Sequence, residues 1–435
     1  MTSNLQKKLI EKDLIYGSQN YSPLPLVLNK GSGVYLWDVD GNKYLDMMSA
    51  YSAVSHGHSH PELVKVLTEQ AQTLAITSRA FYTETFSNYI EKLSKISGFP
   101  NILAMNTGAE AVETAIKAAR RWGYFSKGIK ENQAEIIVAD GNFHGRTTTI
   151  VGFSSEPEYQ RGFGPFSKGF VTADYCQSNC ECNNICEKSI NSIKNLINEN
   201  TCAVLVEPIQ GEGGIVTPKT GWLKQLRDLC TENNVLLILD EIQSGLARTG
   251  KLFAYQHENI EPDGLILGKA LGGGLLPVSA FLSSKEVMNH FNPGSHGSTF
   301  GGNPLAAKVA TKALELIYED NLIENSKEMG AYLKDEIAKL NMPFIKDIRG
   351  KGLWLGVEIE KNISAKKICL ALMEEGVLAK ETHETVIRFA PPLIITKNEI
   401  DWAMTKIKKV FTDLSKKEKF HLKKKMRPLI HIFLI

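Results

Sequence analysis

At 435 residues the chain is too long for one simple hydrophobic core, so two domains are the default. Hydrophobic residues make up 43% and charged residues 23%, an ordinary balance for a folded globular protein. A net charge of +2, with no basic stripe carrying interleaved aromatics, gives no reason to expect nucleic acid. No apolar run reaches the roughly 20 residues of a membrane helix. The N-terminal MTSNLQKKLIEKDLIYG lacks both an apolar signal core and arginine, so the cytoplasm is the expected compartment.

In chain order, residues 24–28 and the stretch GVYLWDVDGNKYLDM read as short strands, with a hairpin turn at Asp40-Gly41. His56, His58 and His60 alternate just before Pro61, which opens a helix. No Cys or carboxylate completes a ligand set at the usual spacing, so structural histidines are expected rather than a metal. An apolar strand over 102–105 then turns through Asn106, Thr107 and Gly108 into a long helix. That is either a plain turn or an anion site at a helix N-terminus, where Gly108 and Ala109 admit a close approach.

A strand over 135–139 precedes DGNFHGRTTT. There Phe143 offers a ring to stack on a flat cofactor and Arg146 a bidentate fork for a carboxylate. The buried run 202–206 ends in EPIQGEGG, which carries Glu207 and Glu212. The unbroken apolar run 235–239 ends at Asp240 and Glu241, and a second run, 265–267, leads to Lys269 and three glycines. Repeated strands with carboxylates at their carboxyl ends predict an α/β fold with a site along one edge of a mostly parallel sheet. Gly264 to Lys269 is too short for a phosphate-binding P-loop, and Ala270 replaces its Ser or Thr. An Asp and a Lys facing one crevice suit a pyridine cofactor: the Asp holds the ring nitrogen protonated and the amine condenses with the aldehyde. Taken alone, the two read as a helix cap and a surface lysine. That reading loses ground to the phosphate cradle and carboxylate forks elsewhere. Beyond them lie Ser298 and Thr299 in a Gly-rich loop, a helix over 305–317, and a smaller α/β region containing TVIRFAPP. The tail from Lys416 to Ile435 is a basic run with a short apolar end, expected as a frayed extension.

With Asn106-Thr107-Gly108, EPIQGEG from Glu207, DEIQ from Asp240, Gly268-Lys269-Ala270 and Gly297-Ser298-Thr299 in this order, the chain resembles the class III pyridoxal-phosphate aminotransferases over roughly residues 15–412. Within that class SAYSAVSHGHSHP, TSRAFY, GFGPF, DEIQSGLARTG and HGSTFGGNP resemble the ornithine aminotransferases. The resemblance implies fold type I, with a mostly parallel sheet of seven-stranded type, and a homodimer with interface sites. The implied organisation is an N-terminal segment (1–52) joining the small domain, a large cofactor domain (53–312), a small domain (313–414) and the tail (415–435).

It further implies pyridoxal 5'-phosphate on Lys269, which carries the imine and shuttles the proton. Asp240 would pair with the ring nitrogen, Gln243 with the ring hydroxyl, and Phe143 would stack. Gly108 and Ala109 would bind the phosphate together with Ser298 and Thr299 of a second subunit. For L-ornithine, Arg146 would take the α-carboxylate, Tyr51 the α-amino group, and Tyr82 would line the pocket. Arg388 would take the carboxylate of glutamate or 2-oxoglutarate, and Glu212 would mask it while ornithine is bound. FHGRT and EPIQGEGG suit acetylornithine and 4-aminobutyrate aminotransferases too; Tyr51 and Tyr82 lean towards ornithine, since a free α-ammonium needs a polar partner. An aminomutase fits less well, because Arg388 points to a dicarboxylate. A non-catalytic scaffold would be free to lose Lys269 or Asp240, and both are present.

The insert containing Cys176, Cys180, Cys182 and Cys186 lies outside the catalytic pattern. Its spacing is not the paired spacing of a zinc knuckle, which leaves a plain reduced loop or a redox-responsive set of exposed thiols reducible by a thioredoxin-like partner.

Overall fold

The computed structural model describes residues 3–177 and 186–430, with side chains given to residue 416. After an N-terminal helix (Asn4–Tyr16), strands β1 (Leu28–Ser32), β2 (Tyr35–Asp38) and β3 (Lys43–Asp46) pair antiparallel in sequence. The β2–β3 connection turns at Asp40-Gly41, where Gly41 takes φ +86, a left-handed backbone that an L side chain resists. The Asp38 carboxylate closes the same turn by accepting from Asn42 N at 2.8 Å and Asp40 N at 3.0 Å.

The central sheet has seven strands: β4 (Asn101–Met105), β5 (Glu135–Ala139), β6 (Phe170–Ala173), β7 (Thr201–Val206), β8 (Leu236–Asp240), β9 (Gly264–Leu267) and β10 (Ser279–Ser283). Their spatial order is β4-β10-β9-β8-β7-β5-β6, and β10 alone runs against its neighbours. Every residue of β7 and β8 is buried, because helices cover both faces of the sheet. Side chains alternate between the two faces of a strand. Val204, Val206, Leu237 and Leu239 therefore join Leu223, Leu226 and Leu229 of helix Trp222–Glu232 in one core. Ala203, Leu205, Leu236 and Ile238 point the other way, into a core with Ala111, Ala115, Ile116 and Ala119 of helix Gly108–Phe125. Each fully buried Leu or Ile contributes roughly 1.5–3 kcal/mol. The run of alanines lets the second helix sit close to the sheet. Parallel strands put their carboxyl ends on one edge, so Asn106, Glu207, Asp240 and Gly268 emerge there together.

The C-terminal region supplies β11 (Ile345–Gly350), β12 (Leu355–Ile359), β13 (Val377–Leu378), β14 (Lys380–Thr382) and β15 (Val386–Phe389). Four of these form an antiparallel sheet in the order β11-β12-β15-β14, while β13 pairs parallel with β3 and ties this region to the N-terminal strands. The final helix, Lys397–Ile430, runs without a break past 415, so the backbone there is a continuation of that helix rather than a frayed tail; residues 431–435 lie outside the described ones. No helix among the described residues is long and apolar enough to cross a membrane.

The three alternating histidines each have a protein partner. His56 Nε2 bonds Ala313 O at 2.9 Å, His58 bonds Asp46 at 2.7 Å, and His60 lies 3.2 Å from Asp320. Among the described residues no group of His, Cys, Asp or Glu is arranged to hold a metal ion.

Candidate active site

Lys269 follows β9 at the sheet edge with φ +44, a left-handed conformation that costs a non-glycine residue roughly 1–2 kcal/mol. Its amine makes no hydrogen bond or ion pair among the described residues. Burial lowers its pKa, Glu212 and Asp240 act in the opposite direction, and Arg388 adds to the lowering. A lysine whose charged form is disfavoured by burial and which has no salt-bridge partner is equipped to be a nucleophile.

Asp240 closes β8. One carboxylate oxygen accepts from Ile242 N at 3.0 Å and the other meets His144 Nδ1 at 2.7 Å. His144 is buried and its Nε2 has no partner among the described residues. Burial alone would lower its pKa, but the hydrogen bond to Asp240 and that residue's charge outweigh it, and the net shift is upward. The pair is thus a buried, charge-assisted unit. His144, between Phe143 and Arg146, went unassigned in the sequence, although its place in the turn after β5 puts it at the site edge.

Glu207 follows β7 and pins two loops, accepting from Phe143 N at 2.9 Å and Gly211 N at 3.0 Å. Burial pushes its carboxyl up to about 7. Glu241 is likewise buried, accepts from Ala254 N and Tyr255 N, and is pushed up to about 7 by burial, so it serves the neighbouring turn rather than the crevice.

At the start of helix Gly108–Phe125, Thr107 caps the first turn and Glu110 reaches back to accept from Thr107 N and Asn106 N. The N–H groups of Gly108 and Ala109 have no acceptor among the described residues. A Cβ on Gly108 would come within 2.9 Å of Ile242 Cδ1, so any larger residue would have to displace that side chain. Ser298 approaches the same turn within one chain, 2.8 Å from Asn106 Nδ2, whereas Thr299 is exposed.

Arg388 on β15 is fully buried. Its Nη2 lies 3.0 Å from Glu212 Oε1 and 3.3 Å from Gly211 O, and its Nη1 lies 3.3 Å from Gln243 Oε1. Gln243 thus contacts Arg388 and also helps to lower the Glu212 pKa. Burial alone would raise the pKa of Glu212, but Arg388 and Lys269 hold it below the usual range.

Tyr51 faces this pair, with Arg388 Cζ 5.0 Å from its ring centroid. Its backbone belongs to a run of four left-handed residues, Ser49 to Ser52. At roughly 1–2 kcal/mol each, such a turn persists only if its surroundings impose it. Asp46 accepts from Met48 N and Ser49 N, and Ser49 Oγ donates to Ala390 O at 2.6 Å. The fully buried Arg248 donates to Ser49 Oγ, Ser55 Oγ, Leu353 O and Pro391 O. Neither this turn nor Arg248 carries a signal in the sequence, since both depend on contacts between distant segments.

Arg146 is exposed beside Phe143 and Tyr159. Tyr82 is not brought to the crevice within one chain. It sits on the connection between helices Pro61–Thr73 and Glu84–Ser97, where nothing packs on it, and is 94% exposed. Cys176 and Cys186 are buried rather than exposed, and they hydrogen-bond each other; burial and that bond push the Cys176 thiol up to about 12. Cys180 and Cys182 lie outside the described residues.

An unpartnered buried amine, a buried Asp–His pair and free amides at a helix start meet the needs of a phosphorylated pyridine aldehyde. Comparison with known proteins agrees. The family model for class-III aminotransferases matches residues 16–411. Ornithine aminotransferase 2 of Staphylococcus saprophyticus is 53% identical over 405 residues, which is 93% of this chain and 99% of that protein. Among solved structures, the ornithine aminotransferase of Toxoplasma gondii, with pyridoxal phosphate at partial occupancy in its active site, superposes with a TM-score of 0.91 at 40% identity over 95% of this chain and 96% of that one. The acetylornithine aminotransferase of Elizabethkingia anophelis gives 0.83 at 44% identity over 94% of this chain and 99% of that one.

Proposed function

Because the chain belongs to the class-III aminotransferases, which are pyridoxal-phosphate enzymes, we propose that it moves the δ-amino group of L-ornithine to 2-oxoglutarate. The products are glutamate and glutamate 5-semialdehyde, which closes to pyrroline-5-carboxylate. The observation that carries this reading is the contrast between two arginines at one crevice. Arg388 is masked by Glu212, while Arg146 has no anionic partner among the described residues.

When bound, the cofactor supplies an aldehyde that accepts the amino group and a ring that withdraws electrons from the reacting carbon. The residues around it do the rest. Gly108 N and Ala109 N would receive the phosphate, Phe143 would stack on the ring, and the Asp240 carboxylate, backed by His144, would favour a protonated ring nitrogen. Lys269 Nζ takes the proton from the substrate carbon that bears the transferred nitrogen. Arg146 receives the ornithine α-carboxylate and Tyr51 its α-ammonium, leaving the δ-amine to reach the centre. A bare Arg388 would seize the same carboxylate and present the wrong amine; Glu212 suppresses that pose until a dicarboxylate displaces it.

The exposed Phe81, Tyr82, Phe163 and Phe300 are the kind of apolar surface that a second copy covers. In such a homodimer Tyr82, Ser298 and Thr299 serve the site of the other subunit. The same reading places the enzyme in the cytoplasm. For the insert, burial of Cys176 and Cys186, with the Cys176 thiol pushed up to about 12, keeps those two in the unreactive protonated form, so a redox role with a thioredoxin-like partner falls to Cys180 and Cys182. Diamide is expected to couple these two thiols with a change in activity; unchanged activity with all four insert thiols still reduced would sink the redox role.

The function is tested by the absorbance of the holoenzyme before and after stoichiometric L-ornithine, N-acetylornithine or 4-aminobutyrate. Ornithine alone is expected to bleach the cofactor band and give trapped pyrroline-5-carboxylate. Bleaching only by one of the other amines would keep the cofactor chemistry and overturn the substrate.

A further inference from the structure

The two arginines of the crevice are held by opposite means. Glu212, Gln243 and a backbone carbonyl take up the Nη1 and Nη2 groups of Arg388. The Arg146 guanidinium, with no acceptor among the described residues, touches only aromatic surface. Its Cζ lies 3.7 Å from the ring centroid of Tyr159 and 5.5 Å from that of Phe143, and the two rings meet edge to face at 6.0 Å.

Tyr159 sits on the short helical turn Pro157–Gln160, which is tied to the loop carrying Phe143 and Arg146. Gln160 Nε2 donates to Ser154 O at 2.5 Å, and Ser155 Oγ accepts from Gly141 N at 2.7 Å. Ring and guanidinium are therefore fixed to one frame. Burial raises the phenol's pKa, Arg146 lowers it and Glu212 raises it, so both charges of the crevice reach this side chain.

We propose that Tyr159 is a specificity-determining positioning residue, whose ring seats the Arg146 guanidinium and aims it at the carboxylate of the amino donor. A flat guanidinium stacked on a ring keeps its N–H donors free around its edge, where a carboxylate can meet them. An acidic partner would restrict the side chain equally well but would occupy those donors, as Glu212 does at Arg388. Tyr159 thus supplies order without competition. The inference rests on the assignment of Arg146 to the donor's carboxylate.

The experiment measures KM and kcat for L-ornithine and for 2-oxoglutarate in Tyr159→Ala, Tyr159→Leu, Tyr159→Phe, Arg146→Ala and the Arg146→Ala/Tyr159→Ala double variant. Loss of the ring in Tyr159→Ala or Tyr159→Leu is expected to raise the KM for ornithine roughly tenfold. The KM for 2-oxoglutarate stays within about twofold, because Arg388 is held independently. Tyr159→Phe restores most of the ornithine affinity, and the double variant is no worse than Arg146→Ala alone. Equal rises in both KM values, or a full further loss in the Arg146→Ala background, would overturn the proposal. An unimpaired Tyr159→Ala beside an impaired Arg146→Ala sinks this inference alone; an unimpaired Arg146→Ala sinks the assignment beneath it. Should Tyr159→Ala fail to fold, the contrast between Tyr159→Leu and Tyr159→Phe decides.

Discussion

Lys269→Ala is expected to lower turnover by roughly 10⁴-fold or more while the protein stays folded, because one side chain supplies both the nucleophile and the proton carrier. The amine makes no hydrogen bond or ion pair among the described residues, so its removal leaves no polar group orphaned. Nor does alanine worsen the strain at φ +44, since it carries the same Cβ as lysine. Burial already disfavours the charged amine, so the melting temperature of the cofactor-free variant should match or exceed that of the parent. The check is a steady-state assay with both substrates beside a thermal melt. A residual rate above about one hundredth of the parent's would assign the nucleophile elsewhere.

The sequence carries this site unevenly, for physical reasons. Strands β7 and β8 are legible because burial on both faces forces unbroken apolar runs, and their carboxyl ends then mark the site edge without further information. Resemblance led to the pairing of Glu212 with Arg388, which the structure places at 3.0 Å, although the two stand far apart in the chain. What the sequence does not disclose are roles set by third parties. Gln243 is expected at a ring hydroxyl, and its amide oxygen also stands 3.3 Å from Arg388 Nη1. Arg248 reads as one cation in a polar loop, yet it is the buried hub that holds the left-handed turn of Tyr51. Tyr159 looks like any surface tyrosine until the turn at Pro157 lays it on Arg146. Tyr82 depends on more than one chain. Its motif marks it as a pocket residue, but one chain alone leaves it in solvent.

Asp240→Asn is expected to cost roughly 10²- to 10³-fold in turnover with only a small change in stability, and the separation of the two effects is the test. Asparagine has nearly the shape of aspartate: its Oδ1 can keep the bond from Ile242 N at 3.0 Å while its Nδ2 donates to the Nδ1 of a neutral His144, where Asp240 Oδ2 stands 2.7 Å away. The buried histidine therefore keeps a partner. The variant does lose the negative charge that, with the hydrogen bond, holds the His144 pKa up against burial. Without that charge burial again favours the neutral imidazole of His144, and Asp240 is no longer there as an anion to favour a protonated ring nitrogen. Asp240→Ala differs because it also leaves Nδ1 without a partner in a site closed to water, and it should unfold at a visibly lower temperature. Parallel melts and rates for the two variants give the result. If Asp240→Asn kept more than about a tenth of the parent rate, the charge at the end of β8 would be structural and the ring nitrogen would take its proton from another group.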